Sequence, residues 1–385
     1  MKIGLVAFRY HAGVLQMYLE LCAAAGVEVV LFTGAHILRD IGQFFGQDAV
    51  PVAQSILNTG MRDSEFLRLI AAESADLDAL LFVELQFDTQ ADWRCFNEVP
   101  FQCPVYAGVH DIVLEPGLEP LPCWRLPARL AARLRKAAFA RVKRFIVHQP
   151  QMQARFSKRM APRATCFLPA YFRDRAFRRA PRVEGDLLRI AIPGVYSFAR
   201  RDYGSVLRAA ARVLERGFRL QLTMVGYPHG PGHAEVVEQF QAFGQQHSDA
   251  LSWSRAYMEE GTFRAALEAS DLVLAPLVPP PPRWEGWLPG GSERRVYALD
   301  RHITAATYDA ARFQLPILYP AFYMPPGERH PGALTYDAEE DLANQLAALA
   351  ENREALAALT ADAIRHAGNF VPERFVAAFN AFLAG

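Results

Sequence analysis

Two adjacent arginines, Arg200 and Arg201, follow Gly194 by six and seven residues, between an apolar run at 188–192 and a helical stretch at 204–216. Guanidinium groups beside a glycine-bearing turn from strand to helix can hold phosphate oxygens, because cationic donors and backbone N–H groups meet there. A solvated basic loop is the plainer reading of the same pair. Thr304, Ala305, Ala306 and Thr307 open a second helical stretch, 304–313, and their small side chains would leave the helix-start N–H groups open to an anion. Asp309 lies just beyond, a carboxylate able to accept from two hydroxyls; an N-cap at Thr304 and a dipole partner at Asp309 are the plainer roles. In the first half of the chain His110 and Asp111 end an apolar run at 105–109, and Tyr10, His11 and Gly13 follow another at 3–8. A histidine in such a place is often structural, and adjacent side chains diverge on a strand, so His110 with Asp111 is not a metal pair. Cys22, Cys95, Cys103, Cys123 and Cys166 are odd in number and contain no C-x-x-C, which points to free thiols and no metal site.

These residues sit in a repeating grammar. Apolar runs at 3–8, 27–32, 79–83, 105–109 and 144–148 alternate with helical stretches, which predicts a parallel sheet covered on both faces. Residues 169–186 lose apolar periodicity, and the grammar then restarts with strands at 188–192, 220–225, 251–253, 272–275 and 316–319. The class is α/β, with two Rossmann-like domains facing a central cleft. The expected divisions are an acceptor domain at 1–168, a linker at 169–186, a donor domain at 187–365 and a C-terminal helix at 366–385 crossing back to the first domain.

The order resembles the GT-B glycosyltransferases, and the second half resembles their retaining family 4 (glycosyl transferases group 1). The matching stretches are Val109-His-Asp111, Phe167-Leu-Pro-Ala170, 192–203, Leu222-Thr-Met-Val-Gly226, 267–276 and 304–316. The resemblance implies a nucleoside-diphosphate sugar as substrate, with no cofactor and no metal. Gly194, Arg200, Arg201, Thr304, Ala305, Ala306 and Asp309 would bind the donor, the arginines stabilising the leaving diphosphate and Asp309 the ribose. Ser254, Arg255 and Ala256 would face the nucleotide base. His110 would join Arg200 and Arg201 as a catalytic group, with Tyr10, His11, Gly13 and Asp111 on the acceptor side. Two departures stand out. Val195 replaces a frequent arginine, and Arg301 occupies the place of the first of two acids that retaining members space by seven residues, with Glu285 and Glu293 as nearby substitutes. A non-catalytic scaffold binding a nucleotide sugar or glycan, and a sugar-nucleotide epimerase, are therefore the alternatives. Neither half carries G-x-G-x-x-G after its first strand, which argues against a dinucleotide-dependent dehydrogenase.

The 385 residues carry no net charge, but its distribution is uneven. Residues 1–119 hold 6 basic and 16 acidic side chains, whereas 120–173 hold 13 basic and none acidic. Leu126, Leu130 and Leu134 recur at helical spacing among Arg125, Arg129, Arg133 and Lys136. Such a segment, 125–144, suits an anionic membrane surface, an anionic acceptor or an acidic neighbouring face. It lacks the aromatic interleaving of a nucleic-acid binder. The apolar run at 3–8 is too short for a signal h-region and no run reaches membrane-span length, so the expectation is a cytoplasmic protein, peripheral on the inner membrane face and acting on cell-envelope glycans. The acceptor would be a glycan, a lipid-linked species or a protein.

Overall fold

The computed structural model describes residues 1–8, 12–45, 52–112, 116–117, 126–160, 164–174, 177–181, 185–229, 232–256, 258–279, 304–324 and 326–385. The chain forms two compact units, one taking in Met1–Tyr171 and Val371–Gly385, the other Phe172–Ala298 and Thr304–Phe370.

In the first unit the strands β1 (Lys2–Ala7), β2 (Glu28–Gly34), β3 (Gln54–Asn58), β4 (Ala79–Phe82), β5 (Val105–Val109), β6 (Arg144–Val147) and β7 (Ala164–Phe167) make one sheet in the order β3-β2-β1-β4-β5-β6-β7. Every pair is parallel. Strands β4, β5 and β6 are buried at every position, as a sheet covered on both faces requires. Edge strand β3 is exposed or half-buried throughout and has no apolar run, so its pattern was silent in the sequence. Helices α1 (Ala12–Ala25), α2 (Ala35–Phe45), α3 (Asp63–Ala72), α4 (Gln90–Glu98), α5 (Leu126–Arg141) and α6 (Pro150–Met160) complete the crossovers. Thr89 caps α4 by accepting from the Asp92 N–H at 3.2 Å. Helix α5 turns Ala138 and Phe139 into the core, while Arg141 donates to the carbonyls of Phe96 and Val99 at the end of α4. That contact places a cation where a helix leaves carbonyls unpaired. The leucine row of α5 divides: Leu134 packs against the core, whereas Leu126 is 68% exposed and Leu130 40%.

The second unit repeats the design with β8 (Leu187–Pro193), β9 (Arg219–Val225), β10 (Leu251–Ser252), β11 (Leu272–Leu274), β12 (Ile317–Pro320) and β13 (Ala333–Tyr336), ordered β10-β9-β8-β11-β12-β13 and parallel. Its helices are α7 (Tyr203–Glu215), α8 (His233–Gln246), α9 (Glu260–Ala269), α10 (Ala305–Arg312), α11 (Glu339–Glu351) and α12 (Arg353–Ala367). Helix α7 starts one residue earlier than the sequence pattern predicts, because Asp202 caps it by accepting from the Ser205 N–H at 3.1 Å. The chain passes back to the first unit at Val371, where α13 (Val376–Ala384) packs on α1 and β7.

The stretch that reads as a linker in the sequence is fastened to the second unit. Arg179 donates to the carbonyls of Phe313 (2.9 Å), Ser270 (2.8 Å) and Leu267 (3.0 Å), at the C-terminal ends of α10 and α9. Gln314, a non-glycine residue at φ 55°, donates back to the Phe177 carbonyl at 3.0 Å. Hydrogen bonds from a charged donor contribute about 1.5–3 kcal/mol each at most, and the group is half exposed to solvent. Arg179→Ala is therefore expected to lower the unfolding free energy by about 2 kcal/mol in urea titrations; a change below about 0.5 kcal/mol would show the clamp to be idle.

Candidate functional site

In the second unit the chain leaves β8 toward β9 and β10, then returns to β11 on the other side of β8. The carboxyl ends of β8 and β11 thus form a topological switch point, where open parallel sheets leave room for ligands. The loop after β8 is tied to the segment after β11 by Asp202 N–H to Pro276 O at 2.8 Å and Val278 N–H to Arg200 O at 3.2 Å. Arg201 itself pairs across to Leu277.

These ties separate the two arginines. Arg200 is half-buried, while Arg201 is 7% exposed. The Arg201 guanidinium lies directly over Gly194, whose φ of 116° suits glycine and whose missing side chain makes the space; a methyl there would collide with Nη2. Nε and Nη1 of Arg201 are buried with no hydrogen-bond partner among the described residues. Leaving charged donors buried and unsatisfied is costly, and such an arrangement is expected where a ligand supplies the acceptors.

Asp309, on α10, is 7% exposed and faces Arg312, Glu260 and Arg201. Burial raises its carboxyl from the ordinary 3.8 to about 7, and Glu260 adds to the rise, against the pull of Arg312 and Arg201. Glu260, from the first turn of α9, accepts from Nη2 of Arg312 at 3.0 Å with both groups buried, and burial raises its carboxyl too. The charges next to Asp309 therefore come from α9, α10 and the loop after β8. Thr304 occupies the N-cap of α10 without a side-chain cap bond, and its N–H reaches Tyr323 Oη at 3.4 Å. Ala305 is exposed and Ala306 buried. Ser254 accepts from the Ala256 N–H at 3.1 Å in an exposed turn after β10, where the Arg255 guanidinium lies 5.8 Å from the Trp253 ring. Glu285, Glu293 and Arg301 lie outside the described residues.

In the first unit Tyr10 and His11 also lie outside the described residues. Gly13 is buried at the start of α1 under the ring of Tyr171, which occupies the place a side chain would take. His110 and Asp111, 7% and 3% exposed, lie just past β5. Two residues that the sequence reading missed join them there. Glu84 Oε2, past the end of β4, is 3.9 Å from Nδ1 of His110. The ring of His148, past the end of β6, lies 4.7 Å from that of His110 at 34°. Strand neighbours explain the gathering, since Val109 pairs with Val147 and one step further sets His110 beside His148. Gly108 lets the end of β4 approach, because a methyl there would collide with the Val83 carbonyl. A polar residue closing each apolar run was the available signal. The strand order that makes those runs neighbours was not.

Among the described residues no group of three or more His, Cys, Asp and Glu side chains could hold a metal ion. None of their helices is long and apolar enough to cross a membrane.

No family model matches the chain, and no curated protein matches it in sequence. Solved structures do match in shape over nearly the whole length. Sucrose-phosphate synthase from Thermosynechococcus elongatus aligns with a TM-score of 0.61 at 13% identity, covering 99% of this chain and 97% of that one. An alpha,alpha-trehalose-phosphate synthase (UDP-forming) from Burkholderia vietnamiensis gives 0.59 at 12% identity, covering 99% and 97%. UDP-GlcNAc 2-epimerase from Neisseria meningitidis, solved bound to UDP-GlcNAc, gives 0.54 at 11% identity, covering 100% and 99%.

The chain has the GT-B fold. At these identities the likeness speaks for architecture alone, and the names of these neighbours include two synthases and an epimerase. What this GT-B chain does must be argued from its own side chains, above all from Arg201, Asp309 and the group around His110.

Proposed function

We propose that the protein is a glycosyltransferase that moves a sugar from a nucleoside-diphosphate sugar to a glycan, lipid-linked or protein acceptor. The observation that carries this reading is the buried Arg201 guanidinium, held over Gly194 at the switch point with Nε and Nη1 lacking partners among the described residues. A diphosphate supplies the acceptor oxygens such a group lacks, and a leaving diphosphate gains negative charge as the glycosidic bond to it breaks. Fixed cations and helix-start N–H groups stabilise that charge most when water is excluded. Arg201, Arg200 and the start of α10 at Thr304, Ala305 and Ala306 provide these groups, with Asp309 toward the ribose and Ser254, Arg255 and Ala256 toward the base. The acceptor falls to the first unit.

Thermal-shift measurements against UDP, GDP, ADP, CMP and their sugar conjugates test the reading. One diphosphate at 100 times its Kd is expected to add about 2.7 kcal/mol of stability. A blank panel would favour a scaffold over an enzyme. Donor hydrolysis then separates turnover from binding.

Leu126 and Leu130, exposed on an α5 that carries Arg129, Arg133 and Lys136, support an anionic membrane as a further partner, on the cytoplasmic side. Leu126→Ser with Leu130→Ser is expected to reduce partitioning onto phosphatidylserine vesicles about tenfold, from the loss of roughly 1.5 kcal/mol of apolar contact at two partly exposed leucines. Equal flotation of the two proteins would refute the contact.

A further inference from the structure

We infer that the first unit binds one acyl chain with an anionic head in a groove between the edge strand β7 and α13. The groove has a volume of about 670 Å³ and is lined by the whole of β7, by Arg144 and Gln153, and by one side of the chain from Arg374 to Gly385. All of these residues belong to the first unit, so the site draws nothing from the second. Its volume falls within the range of ordinary small-molecule sites.

The two walls fix its length and its polarity. Strand and helix run in opposite senses: Ala164 pairs with Arg144, whose Nη1 donates to the Phe382 carbonyl late in α13, whereas the Phe167 ring lies 5.9 Å from that of Phe375 at its start. At the helical rise, Arg374 to Gly385 spans about 16 Å, half the ~30 Å hydrocarbon core of a bilayer and hence the reach of one acyl chain. Arg144, Gln153 and Thr165 make one end polar. Beyond them the lining is Cys166, Phe167, Phe375 and Ala378, with Arg374 exposed to water at the far rim. Burial pushes the Cys166 thiol up to about 11, so it stays neutral and serves as apolar wall.

Arg144 gives the head its sign. It is 6% exposed, its guanidinium lies 5.6 Å from the Tyr106 ring and 5.9 Å from the Phe382 ring, and no described Asp or Glu side chain pairs with it. A guanidinium so buried is under-compensated by a single carbonyl, and a carboxylate or phosphate supplies the missing acceptors. The lining holds no Asp or Glu, and residues 120–173 around it carry 13 basic side chains and none acidic. An anionic head is therefore favoured over a neutral or cationic one.

Isothermal titration of the full chain with dodecanoate, below its micelle concentration, tests the site. One saturable site per chain is expected, with dodecyltrimethylammonium, the same tail on a cation, bound at least about tenfold more weakly for want of the charge-assisted hydrogen bond. Lauroyl lysophosphatidylglycerol separates the two sources of such an anion: tighter binding than dodecanoate assigns a phospholipid, weaker binding a free fatty acid. Ala378 and Ala164 are exposed, so both can be enlarged without disturbing the core. Ala378→Trp fills the middle of the groove and is expected to weaken dodecanoate at least about tenfold, the loss of two or more buried methylenes. Ala164→Glu sets a carboxylate beside Arg144 and is expected to weaken dodecanoate while leaving dodecyltrimethylammonium at least as tight. UDP, GDP or ADP binding is expected to be unchanged in both variants, so this inference and the sugar-transfer reading fail separately. Absence of binding by both anionic amphiphiles, equal binding by the parent and Ala378→Trp, or equal affinity for the cationic amphiphile overturns the inference.

Discussion

Arg201→Ala is expected to slow sugar transfer by about 10²–10³-fold, the usual effect of deleting one donor aimed at developing charge. The same change is expected to leave stability within about 1 kcal/mol of the parent. Removing a buried cation ordinarily costs several kcal/mol when it strands a partner. Here Nε and Nη1 of Arg201 have no partner among the described residues to strand, and deleting them relieves their own desolvation. Against that relief stand the cavity over Gly194 and the lost attraction to Asp309, terms of opposite sign and similar size. Functional loss without stability loss is the signature of a group kept for its ligand. Arg201→Lys is expected to recover only part of the rate, since one ammonium cannot reproduce the fork of the guanidinium. Paired measurements of urea unfolding and donor consumption decide the matter. Equal losses in both would reduce Arg201 to a structural residue, and an unchanged rate would remove it from the site.

Asp309→Asn is the second large effect, and its sign depends on pH. The native carboxyl is raised to about 7, whereas an unfolded one ionises near 3.8. Between those values the native state binds more protons than the unfolded state, so the stability contributed by the protonated group is full below about pH 4 and lost as pH rises through 7. Above that, a buried carboxylate persists whose desolvation outweighs the pull of Arg312 and Arg201. Asparagine cannot ionise. Urea titrations are expected to show Asp309→Asn gaining up to about 4 kcal/mol over the parent at pH 8, with little difference at pH 4. Equal unfolding free energies at both pH values would show that the carboxyl is not held protonated. The same linkage touches the ligand: a diphosphate on Arg201 opposes the ionised carboxylate, so its affinity is expected to fall between pH 6 and 8 in the parent and to stay flatter in Asp309→Asn.

The paired layers were legible because β1, β4, β5, β6, β11 and β12 are largely apolar runs, which both-sided burial demands, while β8 and β9 set buried apolar residues against half-buried ones at alternate positions such as Arg189, Gln221 and Thr223. Strands β3, β7 and β13 escaped for the converse reason. Gln54–Asn58, Ala164–Phe167 and Ala333–Tyr336 lie at sheet edges and are partly exposed, so packing does not force an apolar pattern on them. The loop from Gly194 to Arg201 was legible as a site because the glycine, the two cations and the flanking strand and helix are consecutive. Glu84 was not, since nothing local links it to His110. Glu260 was equally hidden, as the first turn of α9 and the last turn of α10 meet only once the sheet is assembled.

By itself the sequence determined the interior strands and most of the helices between them, and which residue types wait at their ends, because apolar periodicity and backbone sterics act locally. Tertiary structure decided the partners. It turned Arg201 inward over Gly194 while leaving its neighbour Arg200 half-buried, buried Asp309 among Arg201, Arg312 and Glu260, and set Glu84 against His110. Charge and proton affinity at each of these groups come from what strand order brings within a few ångströms, and strand order depends on the long-range packing of the whole sheet.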